Sequence, residues 1–94
     1  MEYSEMQGAY LLEKEDEWII ELHLLNYEDE ETSYRINTLV DEELITDTVL
    51  IQPDRIFKYI IHIDKDTLNT GEVSLAVYKE GENAPLEQTT YYLK

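Results

Sequence analysis

Cysteine is absent from this 94-residue chain, which excludes disulfides, thiolate metal sites and thiol catalysis together. Glycine occurs three times, each time alone, so no glycine-rich loop exists to cradle a phosphate. Basic residues are scarce as well: seven against twenty-two acidic ones leave a formal charge of −15. A surface so negative repels phosphate, which argues against nucleic acid or an anionic membrane as partner. Long apolar runs are also missing. Ala9-Tyr10-Leu11-Leu12 and Trp18-Ile19-Ile20 are far too short to cross a bilayer, so no membrane insertion is expected within this segment. The acidic opening Met1-Glu2-Tyr3-Ser4-Glu5 is not that of a signal peptide. The chain is therefore expected to be either cytoplasmic or one module of a longer exported protein.

What remains is a strongly β-patterned chain. Hydrophobic residues make up 43% of it, enough for a packed core and too many for a solvated acidic tail. Trp18, Ile20, Leu22 and Leu24 alternate with Ile19, Glu21, His23 and Leu25, the two-residue period of a strand with one apolar face. Phe57, Tyr59, Ile61 and Ile63 repeat it against Lys58 and His62. Seven strands are predicted, at 9–14, 18–27, 33–40, 43–51, 56–63, 73–78 and 86–93. A helix over 13–25 is rejected because Trp18-Ile19-Ile20 would spread apolar groups round all its sides. The only helical turn expected lies at 65–68, and residues 1–8 carry little pattern and are expected to be poorly ordered.

Turn chemistry separates the strands. Glu15-Asp16-Glu17 and Glu28-Asp29-Glu30-Glu31 interrupt the apolar pattern, and Gln52-Pro53-Asp54-Arg55 is a turn through proline and aspartate. Asp41-Glu42 sits where a tight hairpin is needed but lacks the usual glycine. Seven short strands with a turn about every ten residues predict a single all-β domain over residues 1–94, a seven-stranded antiparallel immunoglobulin-like β-sandwich. In that topology the second and fifth strands are neighbours in one sheet. The third, sixth and seventh form the other, with the fourth paired to the third.

Candidates for chemistry are few. His23 and His62 fall on the outer faces of strands expected to pair, so the two imidazoles could approach one another, with Glu21 or Asp64 completing a metal or acid–base site. No local ligand spacing supports that, and two half-exposed surface histidines is the plainer account. Ser4, Ser33 and Ser74 lack any nucleophile elbow. The acidic runs have no Asp-x-Asp-x-Asp-Gly order, so solvated loop charge is preferred to calcium ligation. No catalytic, cofactor-binding or metal-ligating residue is therefore assigned, and no cofactor is expected. Two interaction features stand out. Tyr78, Tyr91 and Arg35 would form an aromatic face if they clustered outside one sheet. Thr89-Thr90-Tyr91-Tyr92-Leu93 is uncharged and β-prone, the kind of edge to which a partner strand could add.

Several segments carry a resemblance: Leu24-Leu25-Asn26-Tyr27-Glu28, the hairpin Val40-Asp41-Glu42, and Thr48-Val49-Leu50-Ile51-Gln52-Pro53-Asp54. Gly71-Glu72-Val73-Ser74-Leu75-Ala76-Val77-Tyr78-Lys79-Glu80-Gly81 and the strand after Pro85 complete it. From Trp18 onward the chain resembles the accessory β-sandwich domains of prokaryotic cell-surface proteins, among them CARDB-like domains and extracytoplasmic domains beside archaeal membrane segments. That resemblance implies a non-catalytic structural or protein-interaction module of a surface or membrane-attached protein. A calcium- or carbohydrate-binding sandwich is the alternative, and an enzyme built on the two histidines a distant third.

Overall fold

The alternation read from the sequence is realised in a computed structural model that describes residues 4–93. Seven strands are present among them: β1 (Ser4–Glu13), β2 (Glu17–Asn26), β3 (Thr32–Val40), β4 (Glu43–Ile51), β5 (Ile56–Asp64), β6 (Glu72–Lys79) and β7 (Glu87–Tyr92). They form two antiparallel sheets, ordered β1-β2-β5 and β4-β3-β6-β7, stacked as a β-sandwich. The expected pairings of β2 with β5 and of β4, β6 and β7 around β3 are all present. A 3-10 turn at Lys65–Thr67 supplies the one helical turn expected between β5 and β6.

One boundary differs from expectation. The first strand begins at Ser4, not Ala9, because Ser4, Glu5 and Met6 pair with Asn26, Leu25 and Leu24. A bulge between Met6 and Gly8 breaks the period there and hides the strand from a pattern reading. The earlier part of the expected disordered start, residues 1–3, lies outside the described residues.

The inward face of β2 is Ile20, Leu22 and Leu24, all fully buried, followed by Asn26. Across the interlayer they meet Tyr34 and Ile36 of β3 and Val73, Leu75 and Val77 of β6. The interior divides along the strands into two groups. Ile20, Ile63, Leu68, Val73, Leu75 and Leu93 pack at one end, with Trp18 and Ile61 against them. Leu22, Leu24, Tyr34, Ile36, Ile51 and Val77 pack at the other, with Phe57 and Tyr59 alongside.

Each end is closed by a polar knot. At the first end the hairpin between β3 and β4 is a two-residue turn with Asp41 at φ 49° and Glu42 at φ 80°. That left-handed pair normally calls for glycine. Asp41 reaches it because its carboxylate is held from outside the hairpin. It accepts from the backbone N–H of Asn69 (2.7 Å), Thr70 (3.0 Å) and Gly71 (2.9 Å), and from the Thr70 hydroxyl (2.7 Å). Aspartate also tolerates positive φ better than most residues. The Thr70 hydroxyl above all, with the backbone donors, pulls the Asp41 carboxyl from its ordinary 3.8 down to about 2.

The sign of that shift sets a pH dependence. A carboxyl more acidic in the folded than in the unfolded chain stabilises the fold fully above pH 3.8, and the contribution disappears as pH falls through about 2. Asparagine at this position would keep the left-handed turn without the charge. The Asp41→Asn variant should therefore be less stable than the parent at pH 5, and the gap should close as both are acidified from pH 4 toward pH 2. Urea unfolding across that range measures it. A gap independent of pH would show that the charge of Asp41 contributes nothing.

At the second end Asn26 is fully buried and every polar group of its side chain is engaged. Its amide donates to the carbonyls of Ile51 (2.8 Å) and Glu30 (3.0 Å), while its Oδ1 accepts from the Tyr34 hydroxyl (2.8 Å) and Glu28 N–H (2.9 Å). Its backbone bonds Arg55 and Asp54 in turn. The β2–β3 loop and the β4–β5 turn, both crossovers between layers, are thus tied to one residue. In that turn Pro53 and Asp54 occupy the central positions, with Asp54 at φ 59° and Arg55 N–H returning to the Gln52 carbonyl (3.2 Å).

Candidate functional site

Strand register decides which side chains share a surface. On β3 the buried set is Tyr34, Ile36 and Thr38, so Ser33, Arg35, Asn37 and Leu39 face out. Their cross-strand partners carry this face over β4 as Leu44, Thr46, Thr48 and Leu50, and over β6 as Ser74, Ala76 and Tyr78. On β7 it continues as Gln88, Thr90 and Tyr92. In a chain with twenty-two acidic residues, the only carboxylate at an outward strand position here is Glu72, at one end of β6. The other acidic groups of this sheet, Glu43, Asp47 and Glu87, sit at registers belonging to the inner side. Acid is displaced from this face to the rim.

Arg35 is its one cation. The guanidinium lies 4.4 Å from the centroid of Tyr78, directly across the β3–β6 ladder, a separation at which ring and cation attract. Ser74 and Thr90 hydroxyls are 3.1 Å apart and join β6 to β7 on the same surface. Leu44 and Leu50 are more than half exposed, and Tyr92 is 77% exposed. The face is thus mixed apolar, aromatic and neutral-polar.

Tyr91 does not belong to it. The sequence places this residue beside Tyr78, but its register opposite Val73 turns it inward onto the first core group, where burial raises its hydroxyl pKa. Tyr92 takes the outward place. Tyr59 is likewise an inner residue of β5; it donates to Asp47 of β4 and bridges the two sheets along their open side. Burial, with the Asp47 carboxylate next in effect, pushes the Tyr59 hydroxyl to about 12.

The histidine pair separates. Both imidazoles are on the outer face of the three-stranded sheet, but His23 lies opposite Lys58 and His62 opposite Ile19. Four positions of β2 therefore divide them, roughly 13 Å at the rise of a strand. Each has its own carboxylate: His23 Nε2 is 2.8 Å from Glu21, and His62 Nδ1 is 3.0 Å from Glu17. Tyr10 packs edge-on against His23 at 5.3 Å. Asp64 bonds the Asp66 N–H and starts the 3-10 turn. No acid–base pair assembles from His23 and His62.

The acidic runs stay apart too. Glu15-Asp16-Glu17 and Glu28-Asp29-Glu30-Glu31 flank opposite ends of β2. In the second run Glu28 pairs with Lys79, Glu31 accepts from Gln52, and the Glu30 carbonyl takes the Thr32 hydroxyl at 2.9 Å. Among the described residues no group of three or more His, Asp or Glu is arranged to hold a metal ion, and no helix is long and apolar enough to cross a membrane. A cavity of about 180 Å³ lies between Glu13, Trp18, Lys65, Leu68 and Leu93. The Lys65 ammonium caps it, 2.7 Å from Glu13 and 5.1 Å from the Trp18 ring.

No protein-family model and no curated protein sequence matches the chain. Solved structures do. The chain is similar to part of β-glucosidase 3B from Thermotoga neapolitana, in complex with α-D-glucose (TM-score 0.59), with glucose (0.58) and with glycerol (0.58). In each case identity is 11%, and the match covers 96% of this chain but 16% of the other. The likeness is one of fold. This chain spans about a sixth of the length of those structures.

Proposed function

We propose that this chain is a non-catalytic, immunoglobulin-like interaction module of an extracytoplasmic protein, docked on its neighbour through the outer face of the four-stranded sheet. The observation that carries the proposal is the removal of acid from that face in a chain of charge −15. Solubility alone gives no reason to clear a face, because charge spread over it would serve solubility better. A docking surface does give one: each carboxylate desolvated without a partner costs several kcal/mol. Leu39, Leu44, Leu50 and Tyr92 supply the apolar area, and Arg35 over Tyr78 a rigid centre of the kind that dominates interfaces. The use of a similar sandwich as a minor part of a much longer enzyme is consistent with a modular role. So is the resemblance to accessory domains of cell-surface proteins.

Radical footprinting of tyrosines tests this. Oxidation of Tyr78 and Tyr92 should fall about five-fold or more in the native cellular setting relative to the purified chain, whereas Tyr10 on the opposite sheet serves as reference. Equal oxidation of Tyr78 and Tyr92 in both settings would overturn the proposal.

A second reading, carbohydrate binding, is favoured by the same neutral-polar and aromatic composition around Tyr78. It predicts chemical-shift changes at Arg35 and Tyr78 on titration with gluco-oligosaccharides. Unchanged spectra at millimolar sugar would remove it.

A further inference from the structure

Four strands are sheet edges, and three of them carry, along their length, a device that discourages pairing with another chain. β1 has its bulge between Met6 and Gly8. β4 has an inward charge, Asp47, held by Tyr59. β5 presents Lys58 and His62 along its outer side. β7 has an inward charge only at its first position, Glu87, after Pro85; beyond it the register with β6 is unbroken, and Gln88-Thr89-Thr90-Tyr91-Tyr92 contains no charge and no proline.

The free hydrogen-bonding groups of β7 can be placed. Leu93 N–H bonds the Gly71 carbonyl at 2.7 Å, so by antiparallel alternation Tyr91 and Thr89 also exchange bonds with β6, while at the start of the strand Leu86 N–H takes the Val77 carbonyl at 2.7 Å. Gln88, Thr90 and Tyr92 then point their N–H and C=O groups away from the sheet. This set is symmetric about Thr90. We infer that β7 pairs antiparallel with β7 of a second copy across a two-fold axis at Thr90, joining two sandwiches through one continuous eight-stranded sheet.

Self-pairing suits this strand better than a foreign segment does. In the two-fold register Thr90 meets its own copy, a favourable cross-strand pair, and Gln88 meets Tyr92. Glu87, the one charge of the strand, falls opposite Leu93 and not opposite itself. Two chains of charge −15 thus meet without placing like charges directly opposite one another, and the acid-poor outer faces become continuous. A six-residue strand buries little area, so the dissociation constant should be on the order of 10–100 µM. The like net charges repel across the pair, so salt should tighten it. The inference is independent of the docking role proposed above, since it concerns the purified chain and the sheet edge alone.

Sedimentation equilibrium of the purified chain between about 5 µM and 1 mM tests it. The expected result is a monomer–dimer equilibrium whose association constant rises several-fold between about 0.05 and 0.5 M salt. Thr90→Pro removes an N–H that points away from β6 and should abolish the dimer while the monomer stays folded. Thr90→Lys, with no backbone change, should do the same. A parent chain that remains monomeric at about 1 mM in high salt would overturn the inference. So would a dimer that survives both substitutions, or one that weakens as salt is raised.

Discussion

Leu22→Ala should destabilise the chain by about 4 kcal/mol, the largest effect of any single truncation discussed. Leu22 is fully buried in the middle of β2, within the group formed by Leu24, Tyr34, Ile36, Ile51 and Val77. β2 is the central strand of its sheet, pinned by β1 and β5, so the backbone cannot move in to fill the space. A cavity then adds its cost to the lost transfer energy. The matched control is Leu50→Ala, the same chemical change at a side chain 61% exposed on β4, expected within about 0.5 kcal/mol of the parent. Urea unfolding of both separates the layers. Equal losses would mean that the two leucines do not differ in burial as described.

The second large effect is at Asn26. Asn26→Ala should cost about 3 kcal/mol, or about 15 °C in Tm for a domain of this size. The loss arises less from four hydrogen bonds as such than from what they leave behind. The Tyr34 hydroxyl, buried enough for its pKa to stand at about 12, would lose its Asn26 acceptor, and the Ile51 carbonyl its donor. Tyr34→Phe alone should cost about 1 kcal/mol. In the double variant part of the penalty should vanish, because the hydroxyl that loses its Asn26 acceptor is no longer present. A double-mutant cycle measures that coupling. Strict additivity would show that Asn26 and Tyr34 act separately, against the geometry described.

Local periodicity is enough to place β2, β3, β5 and β6 and to divide the strands between two layers. It fails where the determinant is distant in sequence. The Asp41-Glu42 hairpin looks incomplete without glycine, and the donors that hold Asp41 come from residues 69–71. Tyr91 and Tyr92 are interchangeable on paper. The doublets Thr89-Thr90 and Tyr91-Tyr92 put the same residue type on both faces, so only the pairing with β6 says which tyrosine is inside. The two histidines do lie on the predicted face, but their spacing along the sheet depends on the β2–β5 register, which alternation leaves undetermined.

The neutral face is hidden for the same reason. Glu43-Leu44-Ile45-Thr46-Asp47-Thr48 has no clear apolar period, so the sequence does not say which side Asp47 faces. Its opposition to Ile36 assigns it to the inner side, where the Tyr59 hydroxyl meets it. Only with that assignment does the outer surface of β4 lose its acid. The neutral outer surface is a consequence of register, one step beyond composition.

Thiol labelling tests the central claim most directly, because the chain has no cysteine of its own. Cysteine placed singly at Thr48, on the neutral face, at Ile36, in the interior, and at Glu82, in an exposed acidic loop, would be reacted with neutral, anionic and cationic reagents. The account predicts fast labelling at positions 48 and 82 and protection at 36. It also predicts that the anionic reagent is disfavoured at 82 and much less so at 48, beside Arg35. Equal repulsion of the anionic reagent at 48 and 82 would contradict it, and so would a Thr48→Cys thiol closed to every reagent in the purified chain.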